Sequence, residues 1–243
     1  MIFLIIPLIA LIYLFVKRAD IIAVFAKNAF RKGDMKKASA LFEKAEKAGS
    51  LSVSNQMFYG YLLLRCGKLE QARVTLAKAS MMPAKPALKN RIKAMRALVT
   101  WKEGDIKEAI SSLEELIAEF KNSAVYQDLG LLYILDENKE KALSFNLEAY
   151  DYNSDDLVIK DNLAEAYALC GDIENAEKIY KELLELKPHF PEAYYGYGLL
   201  LIKKGEKQKG LELIKQSLDK RFSFLSVMQK EEVEALYNKY SEK

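Results

Sequence analysis

Apolar side chains recur along this chain at helical spacing, in pairs of segments separated by short turns. Tyr126, Leu129 and Tyr133 form one such stripe, and a second stripe that begins at Ala142 follows a polar turn. The same pair of stripes returns about every 34 residues. Six small residues mark the corresponding position of the second stripe: Ala38, Ala72, Ala109, Ala142, Ala176 and Gly210. A period of this length indicates one two-helix unit that is copied and stacked.

A turn residue precedes each of these small residues by five positions, and it is glycine in five of the six copies. These residues are Gly33, Gly67, Gly104, Glu137, Gly171 and Gly205. Glycine accepts the left-handed conformation that commonly ends a helix. We therefore predict that the first helix of each unit ends here, and that the small residues allow its partner helix to pack closely against it.

The motif Tyr-x2-Leu-Gly-x2-Tyr at residues 126–133, followed by the small Ala142, resembles the tetratricopeptide repeat. The resemblance implies an all-α protein, a right-handed α-solenoid of about six two-helix repeats. In this chain we also expect a C-terminal capping helix after the repeats and one transmembrane helix before them. The predicted domains are an anchor at 1–18, repeats at 19–52, 53–86, 90–122, 123–156, 157–190 and 191–224, and a capping helix at 225–243. Val233, Leu236, Tyr237 and Tyr240 form the apolar stripe of that last helix.

The amino-terminal segment differs from the repeats. Residues 1–16 contain no charged side chain, and Lys17 and Arg18 follow at once. Sixteen helical residues span about 24 Å, which is short for a hydrocarbon core of about 30 Å, but the two cationic side chains extend the reach to the interface. A cleavable signal peptide would begin with positive charge and end at small residues. We predict an uncleaved membrane anchor.

Charge is unevenly distributed. Residues 1–102 hold 19 basic and 5 acidic side chains, whereas residues 103–243 hold 18 basic and 29 acidic ones. Basic residues that flank an anchor stay on the cytoplasmic side, so we predict a single-pass topology with the amino terminus outside and the repeats in the cytoplasm. The basic half would then lie near the anionic leaflet. The alternatives are a secreted or periplasmic repeat protein, and an import-type receptor on an organelle membrane.

The sequence contains no recognisable catalytic motif. His189 has no neighbouring acid or nucleophile, and Cys66 and Cys170 occupy equivalent turn positions three repeats apart. No Cys-x-x-Cys pair is present, so we expect no metal and no cofactor. No nucleic-acid-binding module accompanies the basic residues either. The sequence favours a protein-binding scaffold over an enzyme.

The predicted binding site is the groove that the first helices line in proteins of the family this chain resembles. The side chains expected there are Met57, Tyr61, Leu64, Trp101, Leu131, Tyr195 and Ile202, with the acidic Asp161 and Glu165 in the fifth repeat. Such an apolar groove would suit a protein or peptide partner, for example an amphipathic helix. Many of these side chains could instead pack between neighbouring first helices. Together these observations predict a membrane-anchored adaptor that holds a partner protein at the cytoplasmic surface.

Overall fold

A computed structural model describes the backbone of residues 2–241 and the side chains of residues 15–241. Within that range every regular element is an α-helix, and the protein is an all-α helical-repeat solenoid. The helices are α1 (Ile2–Arg31), α2 (Met35–Ala48), α3 (Val53–Arg65), α4 (Leu69–Met81), α5 (Pro86–Lys102), α6 (Ile106–Glu119), α7 (Ser123–Leu135), α8 (Lys139–Tyr152), α9 (Leu157–Cys170), α10 (Ile173–Glu185), α11 (Glu192–Lys203), α12 (Lys207–Ser217) and α13 (Lys230–Ser241).

The chain divides into two compact units, Met1–Val99 and Thr100–Lys243. In the first unit α1 packs against α2, and α3 packs against α4. In the second unit α7 packs against α8, α9 against α10, and α11 against α12. The helices α7, α9 and α11, which open successive pairs, also contact one another in order. Each unit is thus built from helix hairpins stacked side by side.

The turn inside each hairpin has the conformation that the sequence predicts. All six predicted turn residues have a positive φ, from 55° at Glu137 to 104° at Gly104. The next residue commonly caps the second helix: the side chains of Asp34, Asp105 and Asp172 each accept a hydrogen bond from the backbone amide three residues later. A left-handed residue followed by an N-cap therefore ends one helix and starts the next within two residues.

The small residues of the second helices lie where the two helices of a hairpin meet. All five alanines of this set are fully buried, and Gly210 is buried as well. In the last hairpin, a Cβ added to Gly210 would lie 2.5 Å from the carbonyl oxygen of Gly198, so this position leaves no room for a larger residue. Burial of all six positions agrees with the prediction that small residues mark close helix contacts.

Helix α1 runs without a break from Ile2 to Arg31, so the segment predicted as an anchor and the first helix of the first repeat are one helix. Among the residues that the structure describes, no helix is long and apolar enough to cross a membrane. The predicted anchor falls largely on residues 1–14, which lie outside the described side chains. The side chains of Phe15 and Val16, where the description begins, are exposed.

The carboxyl-terminal helix is shorter than predicted. Residues 218–229 form an irregular segment, and α13 begins only at Lys230, with the Glu232 carboxylate accepting a hydrogen bond from the Gln229 amide at its start. Val233 is fully buried, and Leu236 and Tyr237 pack with it against Ile214 and Met228. Tyr240, expected on the same stripe, is 37% exposed.

Candidate functional site

The predicted groove residues of the first unit serve mainly in packing. Met57 and Leu64 are buried on α3, a helix whose side chains are buried on most of its surface, so they are core residues and do not line a groove. Tyr61 is partly exposed and lies beside the rings of Phe30 and Phe58, at centroid distances of 6.3 and 6.5 Å. Its hydroxyl accepts a hydrogen bond from Arg65 Nη1 at 3.4 Å. Of the three predicted residues, only Tyr61 has surface to offer a partner.

In the second unit the structure places the predicted residues differently. Ile202 and Tyr195 both pack against the core formed by Ile214, Met228 and Val233. Tyr195 also lines a cleft, together with Leu131. Trp101 remains partly exposed, with Lys102 Nζ 3.9 Å from its ring centroid. In this unit we therefore find a small cleft instead of the continuous apolar groove that the sequence predicts.

We call this the α7–α9–α11 cleft, because side chains of those three helices form its walls and the segment before α13 forms one edge. Its volume is about 110 Å³. The residues that line it are Leu131, Ile134, Leu135, Asp161, Asn162, Glu165, Glu192, Tyr195, Gly196, Leu199, Val227 and Met228.

The repeat itself brings these side chains together. Leu131, Glu165 and Leu199 occupy one repeat position on three successive first helices, 34 residues apart. Asp161 and Tyr195 are likewise equivalent, one turn earlier on their helices. Equivalent positions on adjacent stacked helices lie side by side, so a face of the repeat becomes a wall of the cleft. The fifth repeat supplies acids where its neighbours supply leucine, tyrosine or glutamine.

Three carboxylates dominate the polar part of the cleft. Asp161 is only 9% exposed and has no hydrogen bond or ion pair among the described residues. Burial raises its pKa well above the usual range, and the negative charges of Glu192 and Glu165 raise that pKa further. Glu165 is better satisfied, because its Oε2 accepts a hydrogen bond of 2.6 Å from the Tyr180 hydroxyl. The cleft thus holds an excess of negative charge against apolar walls.

The irregular segment before α13 closes one edge of the cleft, which the sequence did not predict. A turn joins Ser223 and Ser226 through hydrogen bonds in both directions, and Val227 and Met228 follow it into the cleft wall. The Ser226 carbonyl accepts a hydrogen bond of 3.4 Å from Lys102 Nζ, which also lies 5.3 Å from the Phe224 ring centroid. Burial lowers the pKa of Lys102, and the charge of Glu192 opposes that shift.

The part of the chain that the structure describes was compared with the arrangements that metal binding and cysteine chemistry require. No three His, Cys, Asp or Glu side chains in it come together as a metal site. Cys66 and Cys170 are free thiols at exposed turn positions, and burial of the sulfur raises the pKa of Cys66. The cleft is lined by apolar and acidic groups.

Comparison with known proteins supports the repeat architecture. Residues 159–190, which include most of α9 and all of α10, match the family model of the tetratricopeptide repeat. A thermophilic tetratricopeptide repeat protein of Thermus thermophilus superposes with a TM-score of 0.65 at 18% identity, covering 79% of this chain and all of that one. One chain of the Cut9–Hcn1 hetero-tetramer of the APC/C superposes with a TM-score of 0.70 at 13% identity. The match covers 91% of this chain and 42% of that chain.

A curated relative, the transcription activator GutR of Bacillus subtilis (strain 168), is 28% identical over 173 residues. The matched region is 69% of this chain but only 18% of that protein, so this chain spans less than a fifth of its length. The fold and the matched segment define the class as far as an all-α helical-repeat protein, in which residues 159–190 match the tetratricopeptide repeat.

Proposed function

We propose that this protein is a non-enzymatic adaptor that binds a protein or peptide partner in the α7–α9–α11 cleft. The observation that carries the proposal is the cleft itself: apolar side chains of three successive repeats line a space that the chain leaves unfilled. Leu135 and Val227 at its rim are 37% and 39% exposed. Burial of such apolar surface on association is favourable by about 25 cal/mol per Å² removed from water.

We further propose that the adaptor is held at a membrane by residues 1–18, with the repeats on the cytoplasmic side. The uncharged run of residues 1–16 and the adjoining Lys17 and Arg18 support this topology. Beyond them α1 continues with Ile21, Val24 and Phe25 exposed on one face, at spacings of three and four residues. An apolar face that continues from a hydrophobic segment is suited to the membrane interface. A secreted or periplasmic repeat protein and an organelle import receptor remain the competing placements.

Site-specific photocrosslinking tests the binding role. A photoreactive phenylalanine analogue replaces Leu135 at the cleft rim in one sample, and replaces Leu147 on α8 in the control. Both leucines are similarly exposed, at 37% and 39%, but only Leu135 borders the cleft, whereas Leu147 lies in a separate depression with Leu143 and Cys170. We expect one partner to be crosslinked from Leu135 and not from Leu147. Equal crosslinking from both positions, or from Leu147 alone, would place the binding surface elsewhere.

Membrane fractionation tests the placement. The full-length protein should sediment with membranes and resist extraction by carbonate and by high salt, whereas deletion of residues 1–18 should release a helical protein, as judged by circular dichroism. Protease protection of right-side-out vesicles then reports on which side the repeats lie. Full-length protein that stays in the supernatant, or that is found cleaved after this segment, would rule out the anchor.

A further inference from the structure

Asp161 is a carboxyl group that the fold leaves without a partner. A buried carboxylate is normally satisfied by a hydrogen bond or by an opposite charge, because desolvation of an unpaired charge is costly. Asp161 is more than nine-tenths buried, lines the cleft and has neither kind of contact among the described residues. By comparison, Asp20 of the first unit, which is also partly buried, accepts hydrogen bonds from the Ser52 amide and Asn55 Nδ2. A partner for Asp161 is therefore solvent or a group that enters the cleft.

Nothing in the surroundings of Asp161 neutralises its charge. Glu165 and Glu192 add two further carboxylates to the same cleft, and neither forms an ion pair in the described part of the chain. The nearby cation, Lys102, has its Nζ hydrogen-bonded to the Ser226 carbonyl and placed against aromatic rings. Like charges in a poorly solvated site disfavour one another, which makes the cleft attractive to a cation.

The walls indicate what carries that cation. Leu131, Leu199 and Met228 would surround an aliphatic stem, and Tyr195 adds to the same lining an aromatic ring, a group that attracts cations. Long basic side chains combine such a stem with a charged head. A guanidinium group presents several N–H donors in one plane and pairs with carboxylates through two parallel hydrogen bonds, whereas an ammonium group acts as a point charge. The small volume of the cleft suits the end of one side chain.

We propose that the α7–α9–α11 cleft recognises an arginine side chain of the partner polypeptide, with its guanidinium paired to Asp161 beside Glu165 and Glu192. This inference rests on the proposed binding function and adds its specificity. Flanking apolar residues of the partner contact Leu135 and Val227 at the rim. The arginine completes a site that the fifth repeat builds by placing acids at positions where its neighbours carry Gln127, Leu131, Tyr195 and Leu199.

The test uses the full-length protein and a random-sequence phage-displayed peptide library as the probe. Selected peptides are titrated against protein labelled with ¹³C at the methionine methyl groups. Met228 in the cleft wall reports binding there, and Met81, which is 84% exposed in the first unit, serves as an internal control. We expect the peptides to be enriched in arginine and to shift the Met228 resonance without shifting that of Met81.

Charge is then removed from each side in turn. Replacement of the peptide arginine by citrulline, its neutral isostere, and the variant Asp161→Asn should each weaken binding by at least about tenfold. Asp155→Asn makes the same change at an exposed position outside the cleft and should leave the affinity unaltered. Glu192→Gln provides a second cleft variant, and circular dichroism confirms that each variant is folded.

The outcomes separate the two proposals. Peptides that shift Met228 but tolerate both citrulline and Asp161→Asn would overturn the arginine inference and leave the cleft as a binding site. Peptides that bind without shifting Met228, or a selection that yields no peptide able to shift it, would overturn the cleft proposal and the inference with it.

Discussion

Substitution of Gly210 by alanine sets local helix propensity against tertiary packing. The other five repeats carry alanine at this position. Alanine is favoured over glycine inside a helix by about 1 kcal/mol, so the repeat pattern by itself predicts that Gly210→Ala stabilises the protein. The structure predicts the opposite sign.

The magnitude follows from the contacts that the added methyl group would make. The new Cβ would lie 2.5 Å from the Gly198 carbonyl oxygen and 2.6 Å from Ile202 Cγ1, with the Ile202 amide nitrogen at 3.1 Å. Two of these three atoms belong to the backbone of α11, so α11 itself must move. Overpacking of this kind costs about 1–3 kcal/mol, and a backbone clash belongs at the upper end of that range. After the gain in helix propensity is subtracted, we expect a net loss of about 1–2 kcal/mol.

Urea unfolding followed by far-ultraviolet circular dichroism measures this difference. The midpoint should fall while the slope of unfolding free energy against urea concentration stays unchanged. Gln208→Ala, on the exposed side of the same helix, is the control and should change stability by less than about 0.5 kcal/mol. A Gly210→Ala protein as stable as the wild type, or more stable, would show that α11 and α12 do not approach as closely as described.

Three further predictions use the same unfolding measurement. Ala176→Leu should destabilise the protein by about 1–3 kcal/mol, because Ala176 is fully buried between α9 and α10. The control Lys139→Leu, at an exposed position, should leave the free energy of unfolding nearly unchanged. Equal stabilities of the two variants would show that the repeat phase is misplaced. Glu137→Gly should stabilise the protein by about 0.5–1 kcal/mol. A left-handed non-glycine residue costs about 1–2 kcal/mol, and the greater freedom of glycine in the unfolded chain offsets part of the stability gained by removing that cost. A loss of stability would refute strain at φ 55°. Burial and the charges of Glu192 and Glu165 raise the pKa of Asp161, so the folded state binds this proton more tightly than the unfolded chain and stability falls as pH rises above about 3.9. Asp161→Asn should therefore gain stability relative to the wild type as pH increases, and a difference that does not change with pH would contradict the raised pKa.

The hairpins could be predicted because their determinants are local. A residue that accepts a left-handed φ, followed by a capping side chain, ends one helix and begins another within a few positions, whatever the rest of the chain does. Glu137 shows the strength of this pattern: it takes the conformation of the five glycines even though it is not glycine. The apolar spacing and the small residue of each second helix then set how the two helices pair.

The composition of the cleft could be predicted only in part. The repeat spacing of 34 residues places four side chains on one face of the first helices: Leu131, Asp161, Glu165 and Tyr195. Their proximity could therefore be predicted from the sequence. Tyr195 and Ile202 also pack against Ile214 and Val233, in the core that includes α13. Sequence periodicity does not describe that packing, because it depends on what covers each repeat.

The sequence alone thus determined the position of each turn and the acidic character of the fifth repeat, since these depend on interactions between residues that are close along the chain or one repeat apart. Tertiary structure alone decided that Val227 and Met228 close the edge of the cleft and that Asp161 is buried without a partner. An irregular segment has no periodicity to reveal its path. Likewise, the burial of a carboxylate depends on side chains contributed by three helices and a distant loop, whose joint arrangement exists only in the folded protein.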